Sequence, residues 1–207
     1  MPDSEPALAP RTATVRRTTA ETDVTVVLRL DPATPEERAY RNQTGLGFLD
    51  HMLDLFARHG GVGLDVTCAG DLHVDDHHTA EDVGLALGRA YREALGDKAF
   101  VARYGHAYVP MDEALARAVV DLSGRAYLVC DATFSRDRVG DLSTEMVEHV
   151  WRSFATEVGC YLHLALLAGT NAHHQVEAIF KAVARALRVA TARDASGDRL
   201  PSTKEAL

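Results

Sequence analysis

The stretch from Asp75 to Asp82 reads DDHHTAED, and its pattern returns near the other end of the chain as His173, His174 and Glu177. If the first stretch is helical, Glu81 lies one turn from both His77 and His78 and can share a face with either. Adjacent residues on a helix point about 100° apart, so the two histidines of a pair would serve different ions. Two HHxxE stretches therefore predict two metal ions, each taking ligands from both stretches.

A third histidine precedes each stretch in a matching context. Both histidines, His51 and His149, stand in the order apolar, acidic, His, apolar, and Phe follows each of them five positions later. His51 precedes His77 by 26 positions, and His149 precedes His173 by 24. A repeat of this kind indicates two copies of one supersecondary unit. Imidazole and carboxylate ligands suit zinc, manganese, iron, cobalt or nickel, and no thiolate is present in the pattern to select zinc.

The order of apolar patterns predicts an α+β fold. Alternation predicts strands over 13–19 and 23–30, and helical periodicity predicts helices over 48–58, 79–95 and 173–192. We further expect a loop over 31–42, a hairpin pairing 115–122 with 126–133, and one long helix or two helices over 143–168. Strands followed by helices in both halves predict two similar half-domains, with packed helices flanked by mixed β-sheets. Their expected bounds are 13–100 and 101–193, between a disordered tail over 1–12 and an irregular tail over 194–207, to which the family resemblance described below gives substrate contacts.

Composition narrows the possible classes of protein. The chain has 207 residues, 46% of them hydrophobic, and a net charge of −8, which argues against a nucleic-acid-binding surface. No stretch approaches the roughly 18 apolar residues of a membrane span, and the N-terminus lacks the apolar segment of a signal peptide. The cysteines are odd in number and lack CxxC spacing: Cys68, Cys130 and Cys160. We therefore expect reduced thiols and a cytoplasmic protein.

Four motifs together resemble those of the imidazoleglycerol-phosphate dehydratase family. They are GLGFLDHML at 45–53, HHTAED at 77–82, PMDEAL at 110–115 and NAHH at 171–174 with Glu177, Phe180 and Lys181. The resemblance runs from about Arg17 to Leu207. It implies the dehydration of imidazole glycerol phosphate to imidazole acetol phosphate in histidine biosynthesis. It also implies two manganese ions per subunit and a homo-oligomer of 24 subunits.

The resemblance also implies roles for individual residues. One ion would take ligands corresponding to His77, His149, His173 and Glu177. The other would take ligands corresponding to His51, His78, Glu81 and His174. The implied substrate contacts are Glu21, Arg103, Arg125, Lys181, Ser202 and Lys204. The cations and the hydroxyl among them suit the phosphate dianion of a small-molecule substrate. Glu21 is the candidate for proton transfer, with water on a metal ion as the alternative.

Two other functions would use similar residues. A dinuclear metallohydrolase would use the same ligands with a bridging water as the nucleophile, but the PMDE segment and the Ser-Thr-Lys tail have no special place in it. A metal-storing or purely structural oligomer is the non-enzymatic alternative. Ferritin-like bundles use Glu-x-x-His on four long helices, whereas this chain has His-His-x-x-Glu and many strands.

Overall fold

Apart from a short extra hairpin in the second half, each half of the chain repeats one order of elements: three strands, a helix, a strand and a second helix. A computed structural model describes residues 9–194 together with residues 200 and 202. The first half comprises β1 (Thr12–Thr18), β2 (Thr22–Arg29), β3 (Tyr40–Gln43), α1 (Gly47–Gly60), β4 (Gly63–Gly70) and α2 (His77–Leu95). The second comprises β5 (Tyr104–Met111), β6 (Ala114–Asp121), β7 (Tyr127–Asp131), β8 (Arg138–Val139), β9 (Leu142–Ser143), α3 (Glu145–Val158), β10 (Tyr161–Ala168) and α4 (Ala172–Ala190).

The two four-stranded sheets have the same strand order. The first is ordered β1-β2-β4-β3 and the second β5-β6-β10-β7. In each sheet the first three strands are antiparallel, and the last strand lies parallel to its neighbour. The short β8–β9 hairpin has no counterpart among the described residues of the first half. The α+β class, the internal duplication and the mixed sheets are therefore confirmed.

The helices of the two halves pack crosswise between the sheets. Helix α1 lies against α4, and α2 lies against α3, while α2 also covers β1 and β2 and α4 covers β5 and β6. Inward residues of the strands alternate with outward ones, so Val24, Val26 and Leu28 of β2 are fully buried. Trp151 joins the helices at the centre, with its ring centroid 5.8 Å from Phe56 and 4.7 Å from Phe180. Helices from different halves therefore share one core.

Three predicted elements differ from the structure. Helix α3 ends at Val158, because Gly159 takes a left-handed φ of 69°, and the rest of the predicted 143–168 helix is strand β10. An apolar run of that length fits a central strand as well as a buried helix. The predicted hairpin is also wrong, since β10 lies between β6 and β7. The predicted 31–42 loop extends too far, since it includes the first residues of β3.

The termini of the chain are described only in part. Strand β1 begins at Thr12, inside the tail predicted over 1–12. Lys204 and most of the predicted C-terminal tail lie outside the described residues. Among the helices that the structure describes, none is both long and apolar enough to cross a membrane.

Candidate metal centre

Helices α2 and α4 each begin with a histidine pair and carry a glutamate one turn later. His77 opens α2, and its Nε2 lies 3.7 Å from an Oε2 of Glu81. His173 lies in the first turn of α4, and its Nε2 lies 3.3 Å from Oε2 of Glu177. Asn171 caps α4 by accepting the His173 N–H at 2.9 Å. The predicted helical spacing thus places one imidazole and one carboxylate together on each helix.

The helix that packs on each pair supplies a third group. Nε2 of His149, on α3, lies 3.5 Å from Oε1 of Glu81. Nε2 of His51, on α1, lies 3.8 Å from Oε2 of Glu177. Two three-residue groups result, and in each of them one ligand atom per residue lies within 4.8 Å of the others: His77, Glu81 and His149, and His51, His173 and Glu177. Each group therefore joins two residues of one half with one residue of the other.

The composition and environment of these groups fit a divalent ion. Each group offers two imidazoles and one carboxylate, the donors preferred by borderline transition metals. Nε2 of His149 is shielded from solvent and makes no hydrogen bond, although it points towards Glu81. A buried polar atom without a partner is costly, and a metal ion would satisfy it. The residues present therefore fit the implied metal ions.

The second histidine of each pair joins neither group. Nδ1 of His78 lies 3.0 Å from Oδ2 of Asp71, and this hydrogen bond raises the pKa of His78. Nδ1 of His174 lies 2.8 Å from Oε2 of Glu113, and the bond raises the pKa of His174. The same bond, followed by backbone N–H groups of Asn171 and Thr170, lowers the pKa of Glu113 to about 2. Both histidines are therefore held at Nδ1, which leaves Nε2 as their potential ligand atom.

The groups formed within one chain divide the predicted ligands differently from the sets that the resemblance implies. Those sets place His77 with His173 and Glu177, whereas the single chain places His77 with Glu81. The eight residues nevertheless lie at or near the amino ends of α2 and α4 and on the helices packed against them, α3 and α1.

Lys181 lies beside the second group. Its ammonium is hydrogen-bonded to Oε1 of Glu177 and lies 3.5 Å from the sulfur of Met111. Burial raises the pKa of Glu177, but Lys181, followed by His51 and His173, outweighs burial, and the net shift is downward. Glu177 is therefore held as a carboxylate at neutral pH. A half-buried cation at a metal group could also neutralise an anionic substrate.

Arg103 and Arg125 lie at the opposite end of the second sheet. Arg103 precedes β5 and Glu113 follows it, and eight strand residues span roughly 27 Å at about 3.4 Å each. Nε of Arg103 donates to Oδ1 of Asp121 at 2.8 Å. Arg125 is exposed, with its guanidinium 5.3 Å from the ring centroid of Tyr161. One chain therefore does not bring these two arginines to its own metal groups.

Residues 190–193, at the end of α4 and just after it, lie close to Arg103. The Arg103 N–H donates to the carbonyl of Ala190 at 2.9 Å, and Val101 forms a bridge with Arg193. Ser202 is half-buried, and its N–H donates to the carbonyl of Leu200 at 2.7 Å. Residues 190–193, which directly precede the C-terminal tail, thus lie beside Arg103.

Glu21 is exposed in the turn between β1 and β2, near His78. The Glu21 carbonyl accepts the Asp71 N–H at 3.1 Å, and the charge of Glu21 contributes to the raised pKa of His78. Glu21 directly precedes β2, as Glu113 directly precedes β6. Duplication thus places two glutamates in equivalent turns. Extending the sequence repeat to these turns would have identified Glu113 as a candidate site residue. The repeat could not identify Asp71, because Thr170 occupies the equivalent position in the second half.

Comparison with known proteins found one matching family. A family model described as imidazoleglycerol-phosphate dehydratase matches residues 44–187. The chain is 62% identical to imidazoleglycerol-phosphate dehydratase of Salinibacter ruber over 99% of both chains, and 53% identical to that of Zymomonas mobilis over 95% of this chain and 99% of the relative.

Two solved structures share the fold. The Staphylococcus aureus enzyme matches with a TM-score of 0.78 and 40% identity, over 88% of this chain and 99% of the other. The Pyrococcus furiosus enzyme, solved in complex with (S)-C348, matches with a TM-score of 0.80 and 36% identity, over 93% of this chain and 100% of the other. The chain therefore belongs to the imidazoleglycerol-phosphate dehydratase family, a family of lyases that acts in histidine biosynthesis.

Proposed function

We propose that the chain converts D-erythro-imidazole glycerol phosphate into imidazole acetol phosphate with the help of two Mn²⁺ ions per subunit. The observation that carries this proposal is the pair of groups of two histidines and one glutamate, built crosswise from both halves. Family membership supports the reaction, and the donor set supports a borderline divalent ion.

Eight side chains would hold the two ions. Six belong to the observed groups, and His78 and His174 are the remaining two. Because His78 and His174 join neither group of their own chain, we propose that they serve neighbouring copies in a homo-oligomer, with 24 subunits as the resemblance implies. When bound, the ions would polarise the imidazole ring and the diol of the substrate and so help the hydroxyl to leave.

The chain itself must move protons during the reaction. Dehydration breaks one C–H bond and the C–O bond of the neighbouring carbon, releases water and gives an enol that becomes the ketone. No carbonyl acidifies that C–H bond, so a positioned base is required. Glu21 is exposed near His78, and its carboxylate does not belong to either metal group. We assign proton transfer to Glu21.

The cations predicted from the resemblance would hold the phosphate. Arg103, Arg125, Lys181 and Lys204 offer charge-assisted hydrogen bonds, and Ser202 offers a hydroxyl. Arg103 and Arg125 lie far from the metal groups of their own chain along β5. A small substrate that contacts both the metals and these arginines must therefore lie between copies of the chain. This separation supports an oligomeric enzyme.

Other partners and locations follow from bulk properties. A net charge of −8 disfavours nucleic acid as a partner, and we propose no membrane association. Cys68, Cys130 and Cys160 are free thiols in the structure. Free thiols suit a reducing compartment, so we propose a cytoplasmic location.

One experiment distinguishes the proposed lyase from its alternatives. The full chain, loaded with Mn²⁺ and freed of excess metal, is incubated with imidazole glycerol phosphate. We expect two ions per chain by elemental analysis and formation of the ketone without release of inorganic phosphate. A phosphate-releasing metallohydrolase would liberate phosphate, and a storage protein would leave the substrate unchanged.

Histidine variants test whether the two groups hold the ions. His149→Ala and His51→Ala each remove one member of one group, and we expect metal content to fall in both. His106→Ala is the matched control, because His106 is exposed on β5 outside both groups. Equal metal content in all three variants would refute the assignment.

A further inference from the structure

Glu113 contacts the ring of His174, the histidine that belongs to neither group of its own chain. We propose that Glu113 is a positioning residue that fixes the tautomer of His174. By accepting the Nδ1 proton, Glu113 would keep Nε2 unprotonated and free to bind a metal ion. The inference rests on the proposed function, because it takes His174 to be a metal ligand, and it adds a role for a residue outside the ligand set.

Both oxygens of Glu113 already have assigned partners. Oε1 accepts the N–H of Asn171 at 2.7 Å and that of Thr170 at 3.0 Å, at the start of α4. Oε2 lies 2.8 Å from Nδ1 of His174. An ionised carboxylate can only accept hydrogen bonds, so the ring must present a proton at Nδ1. In a neutral imidazole, the lone pair then lies on Nε2, the atom that a metal needs.

In the first half of the chain, a different residue contacts Nδ1 of the second histidine. There, Nδ1 of His78 lies 3.0 Å from Oδ2 of Asp71, in the connection between β4 and α2. Glu21 occupies the turn position equivalent to Glu113 but does not contact the ring through a hydrogen bond in the structure. Asp71 therefore takes over the contact with the histidine and leaves the Glu21 carboxylate available for the substrate.

Replacing Glu113 or Asp71 by its amide should affect the contact with the histidine differently, because only one of the two amides can turn its oxygen towards the ring. In Glu113→Gln, the amide oxygen must face the backbone N–H groups of Thr170 and Asn171, so the NH₂ faces His174. That donor requires a lone pair at Nδ1 and favours a proton on Nε2, the wrong tautomer for metal binding. Oδ1 of Asp71 makes no hydrogen bond, so Asp71→Asn can turn its oxygen towards His78. We therefore expect the first substitution to be much more harmful than the second.

Metal titration of the intact, chelator-stripped protein tests the inference. We expect wild type to bind two Mn²⁺ per chain, and Glu113→Gln to weaken binding of one ion by about 10- to 100-fold. Asp71→Asn should lose clearly less, below about tenfold. Asp75→Asn is the control, because Asp75 accepts the His77 N–H at 2.9 Å without touching a ring, and Asn can do the same. Co²⁺ absorption spectra would report the altered coordination independently of activity.

A comparison with alanine separates positioning from a structural role. Glu113→Ala imposes no tautomer, so it should bind metal better than Glu113→Gln while melting at a lower temperature in its metal-free form. A purely structural Glu113 predicts the opposite order of metal affinities, because Gln retains the contacts to α4. That order, or wild-type affinity in Glu113→Gln, would overturn the inference. Failure of wild type itself to bind two ions would instead overturn the proposed metal sites, and this inference with them.

Discussion

Gly88 of α2 lies so close to Phe154 of α3 that a Cβ at position 88 would stand 2.5 Å from the Phe154 carbonyl oxygen. The same Cβ would stand 3.0 Å from Cα of Phe154, so no side-chain rotation could relieve the contact. The close crossing of α2 and α3 also sets the separation of His77 and His149, whose ring centroids are 4.5 Å apart. Packing between two helices therefore controls the geometry of one metal group.

Gly88→Ala should destabilise the fold and weaken that metal group. Overpacking costs about 1–3 kcal/mol, which exceeds the gain of up to about 1 kcal/mol for Ala over Gly in a helix. The helices must separate, and His149 moves with α3. Denaturant unfolding and Mn²⁺ titration would measure the two effects. Gly60→Ala is the matched control, since its Cβ would come no closer than 3.7 Å to Ala184. If Gly88→Ala and Gly60→Ala were both as stable as wild type, the argument would be contradicted.

Asp141→Ala should loosen helix α1. Asp141 lies in the turn between β8 and β9, and its carboxylate accepts the N–H groups of Gly47 at 2.6 Å and Phe48 at 3.0 Å. Losing such a cap typically costs about 1 kcal/mol. The Phe48 ring lies 5.1 Å from the His173 ring, so metal binding at that group should weaken as well.

Thermal unfolding with and without Mn²⁺ would detect both effects of the Asp141 substitution. Asp141→Asn retains one oxygen acceptor and should fall between wild type and the alanine variant. An alanine variant as stable as wild type would mean that solvent replaces the cap without cost.

Most residues of the two candidate metal groups were predictable from the sequence, but their grouping was not. A spacing of four residues puts His77 with Glu81, and His173 with Glu177, on any helix. Which third histidine joins each pair depends on which helices cross, and no local pattern encodes that α1 packs on α4. The contact between Glu113 and His174 likewise depends on the β5–β6 turn meeting the start of α4.

The fold was predictable to a similar extent. Alternating strands such as β2 and amphipathic helices such as α2 have strong local periodicity, and the sequence predicted both. Residues 161–168 are apolar almost throughout, so their pattern does not distinguish a strand from a buried helix. They form a strand because they pair with β6 on one side and β7 on the other. Because β10 lies there, β6 and β7 do not pair as the predicted hairpin. The turn signal at Ser123 and Gly124 indicates that the chain turns, but it does not specify which strand pairs with β6.

Arg125→Ala should raise KM for the phosphorylated substrate while leaving metal content unchanged. Arg125 is exposed and far along the sheet from the metal groups of its own chain. Losing a charge-assisted bond should cost about 1.5–3 kcal/mol of substrate binding. Lys204→Ala should behave in the same way. Steady-state kinetics with Arg41→Ala as an exposed control would test this, and wild-type KM in both variants would place the phosphate elsewhere.

Removing the metal should dissociate the assembly as well as abolish activity. His78 and His174 do not join the groups of their own chain, so ions that use them would link copies, and ligand binding of that kind stabilises the linked form by mass action. Light scattering of chelator-treated protein should show particles well below 24 subunits that reassemble on adding Mn²⁺. A particle of unchanged size with empty sites would show that other contacts hold the copies together.

Glu21→Gln should leave both metal ions bound yet slow turnover strongly. The Glu21 carboxylate lies outside both metal groups, and its amide counterpart has nearly the same shape but cannot take up a proton at neutral pH. A positioned acid–base group contributes about 10²–10⁴-fold, so we expect kcat to fall within that range. In the turn, Glu21 makes its hydrogen bonds through its backbone. Its N–H donates to Oγ1 of Thr19 at 3.1 Å, and its carbonyl accepts the Asp71 N–H.

Because those backbone contacts survive the substitution, the thermal midpoint of Glu21→Gln should stay close to that of wild type. Measuring kcat, bound metal and midpoint on one preparation therefore separates proton transfer from a role in shaping the turn. A small loss of kcat together with a lower midpoint would indicate that Glu21 supports the turn. A kcat within about threefold of wild type, far below the contribution of a positioned base, would remove Glu21 from the mechanism.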